Sequence, residues 1–157
     1  MYIELAKHED LFFIIQLLNE STQKLLSINI MQWDYPWNST TIAQDISKGY
    51  QYIVRDNDII IAVFSLKDMK ENLWTKEAVN SQMYFYRVAV APLYQGKNIG
   101  RNICNWIQNF SKLNKKVIYL DCWNGNEKLK IFYQSAGFKY INDFPEKDYF
   151  VSVFKYV

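Results

Sequence analysis

Val88-Ala89-Val90-Ala91-Pro92-Leu93-Tyr94-Gln95-Gly96-Lys97-Asn98-Ile99-Gly100-Arg101 is the stretch that decides how this chain folds. Upstream of it, Met83 to Val90 is a nearly continuous apolar and aromatic run that Pro92 brings to an end. Such a run fits a central strand covered on both faces. Downstream, Ile99, Ile103, Trp106, Ile107, Phe110 and Leu113 recur at the spacing of a helix's buried stripe. Strand, glycine turn and helix follow directly, so free backbone N–H groups and the positive helix end converge on one spot. That arrangement suits a pyrophosphate. A P-loop is a poorer match, because Gly96-Lys97 is followed by Asn98 instead of Ser or Thr and the first glycine is missing. The three-glycine dinucleotide fingerprint is not met either. The residues of the loop alone leave a purely structural turn open.

Working outward, Met1 to Ala6 reads as a strand and Glu9 to about Ser21 as a helix carrying Leu11, Ile14, Ile15 and Leu18. Ile28 to Asn38, rich in aromatics and broken by Pro36, reads as a structured loop. Thr41 with Gln44 forms a capping-box pattern, and Gly49 stands where the short helix behind it would stop. Gln51 to Arg55 and Ile59 to Leu66 flank Asp56, Asn57 and Asp58 as an antiparallel hairpin. Lys67 to Gln82 is polar apart from Trp74 and is either a loop or a short exposed helix. Val117 to Cys122 reads as a buried strand and Glu127 to Ala136 as a helix ending before Gly137. Phe138 to Ile141 and Tyr149 to Tyr156 alternate like two strands around a turn at Asp143 to Lys147.

The totals restrict the chemistry. With 157 residues, half of them apolar, the chain is read as a single domain, residues 1–157. Eighteen Lys and Arg against sixteen Asp and Glu give no general attraction to nucleic acid or to an anionic membrane. Cys104 and Cys122 lie in apolar stretches without disulfide or metal-ligand spacing, which fits a reducing cytoplasm. No basic leader or membrane-length apolar run is present, so a soluble, untargeted, cytoplasmic protein is expected. His8 is the only histidine and reads as a solvated residue, so no metal is expected and histidine-based triads are disfavoured.

Together with its flanks, the quoted stretch resembles motif A of the GCN5-related N-acetyltransferase (GNAT) superfamily, Gln/Arg-x-x-Gly-x-Gly/Ala after a strand ending in Val-x-Pro. Gln95, Ile99 and Gly100 match, and Asn98 stands at the family's first glycine. Asn is the residue next most tolerant of a positive φ. Downstream, Leu120-Asp121-Cys122, Asn126, Phe132-Tyr133 and Gly137-Phe138 resemble motif B, in the expected order. The resemblance implies an α/β (α+β) fold: a mixed, mostly antiparallel sheet of about six to seven strands, flanked by about four helices and splayed between the two strands that hold acetyl-CoA. It implies an N-acetyltransferase moving the acetyl group of acetyl-CoA to a primary amine by direct attack in a ternary complex. A non-catalytic acyl-CoA-binding or regulatory module is the alternative.

Roles carried over by the resemblance follow the matching positions. Main chain of Val88, Ala89 and Val90 is expected to pair with pantetheine, with an N–H near Val88 facing the thioester oxygen. Gln95, Gly96, Lys97, Asn98, Ile99, Gly100 and Arg101 form the expected pyrophosphate loop. Tyr133 matches the general acid that protonates the leaving thiolate and is assigned that role, a core aromatic beside Leu129 and Phe132 being the alternative. Asn126 matches a pantetheine contact and also stands where a helix takes its N-cap. Asp121 occupies the place of a glutamate base, or it fixes structure at a strand end. Trp33, Tyr35 and Trp37 are expected to enclose the amine or to pack as a lid, and Tyr84, Tyr86 and Arg87 are further lining residues. The acceptor is expected to be a small-molecule or peptide amine. Oligomeric state stays open, with a homodimer one option.

Overall fold

The computed structural model describes residues 1–157. In chain order the elements are β1 (Tyr2–Leu5), α1 (Leu11–Ser27), α2 (Ser39–Ser47), β2 (Gln51–Asp56), β3 (Ile59–Asp68) and β4 (Gln82–Val90). They continue with α3 (Ile99–Asn114), β5 (Val117–Trp123), α4 (Glu127–Ser135), β6 (Lys139–Glu146) and β7 (Tyr149–Tyr156). Seven strands form one sheet in the order β1-β2-β3-β4-β5-β7-β6. The pairs β1·β2, β2·β3, β5·β7 and β6·β7 are antiparallel, whereas β4 and β5 run parallel. Parallel neighbours need a long crossover, and α3 supplies it. The mixed sheet and the four helices are those implied by the resemblance. No helix is long and apolar enough to cross a membrane.

Contacts divide the chain into two compact units, with β4 contributing to both. The first comprises Met1–Leu66 and Tyr86–Gly100. Ile14, Leu17 and Leu18 of α1, Ile42 and Ile46 of α2, Ile53, Val63 and Ala89 fill its core. Asn57 and Asp58 take φ of 48° and 67°, which closes the β2–β3 hairpin with the left-handed pair a two-residue turn demands. The second unit comprises Lys67–Phe85 and Arg101–Val157. Tyr119, Val151 and Val153 are buried there, with Met69, Trp74 and Phe144 packed against them. Tyr133, Phe138 and Phe154 form a separate aromatic group, joined by Phe85 of β4 through Phe138.

Several expectations are corrected. The cap of α2 is Asn38, whose side chain accepts from the Thr40 N–H at 2.8 Å; Thr41 lies inside the helix. Gly49 does follow this helix with φ 73°. Helix α1 runs on to Ser27 rather than ending near Ser21, because the polar residues there are satisfied internally. Thr22 Oγ1 donates to the Leu18 carbonyl at 2.7 Å and Ser21 Oγ to the Val90 carbonyl at 3.3 Å. Strand β6 extends to Glu146, with its turn at Lys147 (φ 52°). A register shift between Tyr140 and Asn142 breaks its alternation, and Pro145 is tolerated because β6 is an edge strand.

Between β3 and β4 the chain forms no helix. The buried Asn72 organises it, accepting from the N–H groups of Trp74 and Thr75 at 3.1 Å and donating to Gln82 Oε1 at 3.0 Å.

Moving the α2 cap to Asn38 makes a direct comparison possible. Asn38→Ala should lower stability by about 1 kcal/mol, and Thr41→Ala should stay within about 0.5 kcal/mol of the parent. Urea unfolding of the two variants checks the assignment.

Candidate active site

Within the first unit, β4 runs into the loop through Ala91, whose N–H donates to the Ile61 carbonyl at 2.8 Å. Pro92 to Tyr94 make a single 3₁₀ turn, and Gly96 and Asn98 follow with φ of 79° and 63°. Asn98 thus holds the left-handed conformation that glycine adopts freely and Asn tolerates. A Cβ placed on Gly96 would meet nothing within 4 Å, so open space borders the loop there. Gln95 is fixed at both ends of its amide: Nε2 donates to the Val90 carbonyl at 3.1 Å, and Oε1 accepts from Lys24 Nζ at 2.6 Å. The Lys97 ammonium lies 5.2 Å from the Tyr94 ring. Ile99 is buried, while Val88 and Val90 are half-buried on either side of the buried Ala89.

The expected amine-lining residues of this unit divide into two kinds. Trp33 and Trp37 stack edge-to-face at 5.6 Å and pack against the core. Trp37 Nε1 donates to Thr22 Oγ1 at 2.9 Å. Tyr35 is exposed and its hydroxyl accepts from Gln23 Nε2 at 2.6 Å.

Tyr86 and Arg87 both turn to Asp45 of α2, a residue that reading the sequence for motifs passed over. Asp45 Oδ2 accepts from the Tyr86 hydroxyl at 3.0 Å and from Arg87 Nη1 at 2.5 Å. Burial and the Asp45 carboxylate push the Tyr86 phenol upward, so it stays protonated. The signal for Asp45 was its place between Ile42 and Ile46, a carboxylate beside the buried face of a short helix.

Arg87 itself has φ 52° inside a strand, the conformation of a bulge residue. Its guanidinium carbon sits 5.6 Å from the Trp37 ring and 5.0 Å from the Tyr86 ring.

Within the second unit, the register of β4 and β5 runs from Gln82↔Val117 to Tyr84↔Tyr119. The Tyr84 hydroxyl donates to Asp121 Oδ1. Trp74 packs edge-on to Tyr84 with ring centroids 5.8 Å apart, which fixes the phenol that meets the carboxylate. Burial raises the Asp121 carboxyl to about 6; the Tyr84 hydrogen bond opposes this and Glu146 adds to it. Asp121 is therefore mostly ionised at neutral pH yet far more basic than a free aspartate.

Tyr133 is buried, and desolvation holds its phenol well above the usual range, with Cys104, Cys122 and Asp121 adding to the effect. The two thiols are themselves pushed up to about 12, chiefly by burial, and so stay neutral. Asn126 caps α4, its Oδ1 accepting from the Leu129 N–H at 3.1 Å. Arg101 is tied to the other end of that helix, donating to the Ser135 carbonyl at 3.1 Å and to Ser135 Oγ at 3.0 Å. Its guanidinium lies 5.5 Å from the Phe132 ring. No group of His, Cys, Asp and Glu is dense enough to hold a metal ion.

Asp121 carries a pH signature. Its carboxyl binds a proton more tightly in the folded chain than in the unfolded one, so its contribution favours folding most below its unfolded value near 3.8. That contribution is lost as pH rises through about 6. Asp121→Asn should therefore show a smaller drop in urea midpoint between pH 4 and pH 8 than the parent, and an equal drop would count against the burial described.

Comparison with known proteins adds the family. Residues 47–140 match the model of the acetyltransferase (GNAT) domain. No curated protein matches the sequence at a significant level. Among solved structures, a GNAT-family acetyltransferase from Listeria monocytogenes superposes with a TM-score of 0.81 at 18% identity, over 99% of this chain and 93% of that one. The Salmonella typhimurium protein yncA, solved with its cofactor acetyl-CoA, gives 0.75 at 16% identity over 99% and 92%. The ribosomal-protein-S18-alanine N-acetyltransferase of Escherichia coli gives 0.72 at 16% identity over 98% and 91%. These similarities are of fold; the matched family model covers more than half of the chain, which belongs to the acetyltransferase (GNAT) domain family, a family of acyl-transfer enzymes.

Proposed function

We propose that the chain transfers the acetyl group of acetyl-CoA to a primary amine by direct attack within a ternary complex. The observation that carries this reading is the pair of left-handed residues, Gly96 and Asn98, in the turn that opens α3. Left-handed residues in such a turn leave successive N–H groups directed outward, and the start of a helix adds its own unpaired donors. No atom lies within 4 Å of a Cβ placed on Gly96, so nothing on that side obstructs a phosphate's approach to the turn. The solved relative that contains acetyl-CoA and the family match favour the same donor.

On this reading the loop Gln95–Gly100 holds the pyrophosphate, with Lys97 and Arg101 adding positive charge. The main chain of Val88, Ala89 and Val90 aligns the pantetheine arm. The Val90 carbonyl already accepts from Ser21 and Gln95, so the strand's remaining groups make that alignment. An N–H near Val88 stabilises the negative charge that develops on the thioester oxygen. Asp121, raised to about 6, takes the proton that the acceptor ammonium must lose, and Tyr84 orients it.

Tyr133 donates a proton to the departing thiolate. Burial keeps its phenol protonated, so the proton is present to be given. Asn126 combines its capping bond with a contact to the pantetheine arm. The acceptor is a small-molecule or peptide amine, lined by Trp33, Tyr35, Trp37, Tyr84, Tyr86 and Arg87.

Thiol release from acetyl-CoA, followed over a panel of amines, tests the reading. Thermal stabilisation by acetyl-CoA without thiol release for any amine would instead identify a non-catalytic acyl-CoA-binding module. Tyr133→Phe should lower kcat by about 100-fold or more while acetyl-CoA affinity is kept; full turnover in that variant overturns its role. Asn98→Gly should preserve or tighten acetyl-CoA binding in calorimetry, because the backbone already adopts glycine's conformation. A large loss would show that the Asn98 amide itself contacts the donor.

A further inference from the structure

Arg87 is the cation of the first unit whose hydrogen-bonding capacity is least used for its burial. Its side chain is only 22% exposed. A guanidinium carries five N–H donors in a planar fork, and this one spends a single donor, from Nη1, on Asp45 Oδ2. Nε and Nη2 together form one edge of the fork, and that edge donates to nothing within the chain. No sealed side-chain nitrogen lacks a partner, so the free edge opens outward.

The surroundings hold this edge in place. The Trp37 and Tyr86 rings lie 5.6 and 5.0 Å from the guanidinium carbon, and the Tyr86 hydroxyl shares Asp45 Oδ2 with Nη1. Trp37 is in turn tethered to Thr22 through its indole N–H. The side chain therefore has little conformational freedom left to lose on binding, which is the condition under which a planar fork gains most from a two-point contact. Two parallel N–H donors match the two oxygens of a carboxylate. A primary or polyamine acceptor has nothing to place there, and it would face a cation.

We propose that the Nε–Nη2 edge of Arg87 recognises a carboxylate on the acceptor, so that the amine acetylated is an amino acid or another amine that carries a carboxylate. This assignment rests on the amine-acetyltransferase reading above and names its substrate class. Asp45 is a positioning residue in it: it occupies Nη1 and so presents the opposite edge.

The test uses the full chain and pairs each free amino acid of a panel with its α-carboxamide. Thiol release from acetyl-CoA should show a kcat/KM at least about tenfold higher for the acid than for the carboxamide, the size expected of charge-assisted hydrogen bonds. Arg87→Gln should bring that ratio close to one, mainly by raising KM for the acid. Arg87→Lys, which keeps the charge but loses the fork, should give an intermediate ratio and guards against a folding defect in the Gln variant. A parent ratio of one or less, a ratio unchanged in Arg87→Gln, or better turnover of peptides with amidated C-termini than of free amino acids overturns the proposal.

If no amine in the panel releases thiol, the acetyltransferase reading fails on its own account. Calorimetry of the same acids and carboxamides then still decides the carboxylate site. Tighter binding of the acid to the parent, lost in Arg87→Gln, supports it, and equal binding overturns it.

Discussion

A single strand, β4, has to serve two hydrophobic cores and still present polar groups along its length. Phe85 joins the aromatic group of the second unit, while Ala89 is buried in the core of the first. Between them Arg87 leaves extended geometry for φ 52°. A non-glycine residue in that region costs about 1–3 kcal/mol and persists only where its surroundings over-determine it. Asp45, Trp37 and Tyr86 supply that determination through an ion pair, two ring contacts and a shared carboxylate oxygen. The irregular residue and its partners form the wall on which acceptor recognition is proposed.

Two carboxylates beside this strand meet different partners, and the difference is chemical. Asp45 faces the Arg87 guanidinium and holds it in an ion pair. Asp121 faces the neutral phenol of Tyr84, which stabilises the anion less than burial destabilises it, and its carboxyl rises to about 6. The first is thereby suited to hold a cation in place and the second to exchange a proton near neutral pH. The Asn72 turn contributes at a distance, because it delivers Trp74 against the Tyr84 ring.

Periodicity and turn chemistry made most of the fold legible. The Asn57-Asp58 hairpin, the stripe from Ile99 and the apolar run ending ahead of Pro92 are local patterns with one physical solution each. Errors fell where side-chain hydrogen bonds satisfy polar groups that would otherwise mark an end. Ser21 and Thr22 look like a helix terminus until their hydroxyls find the carbonyls of Val90 and Leu18. Ile141 lies at a bulge in β6, so alternation lost its phase there.

The candidate site was legible in the same uneven way. The loop could be read because its demand is local: a left-handed residue at position 98 is served by Gly or Asn, and the sequence carries Asn. Asp121, Tyr84 and Arg87 stood among the candidates, but Asp45 and the pairings were not readable, since Asp45 lies 42 residues from Arg87 and Asp121 lies 37 from Tyr84. By itself the sequence determined the order of elements and the turn that opens α3, because backbone conformation and burial pattern are set by near neighbours. Only the tertiary structure decided which carboxylate meets a cation, which meets a phenol and which edge of Arg87 stays open, because pairings between distant residues depend on how the strands and helices pack.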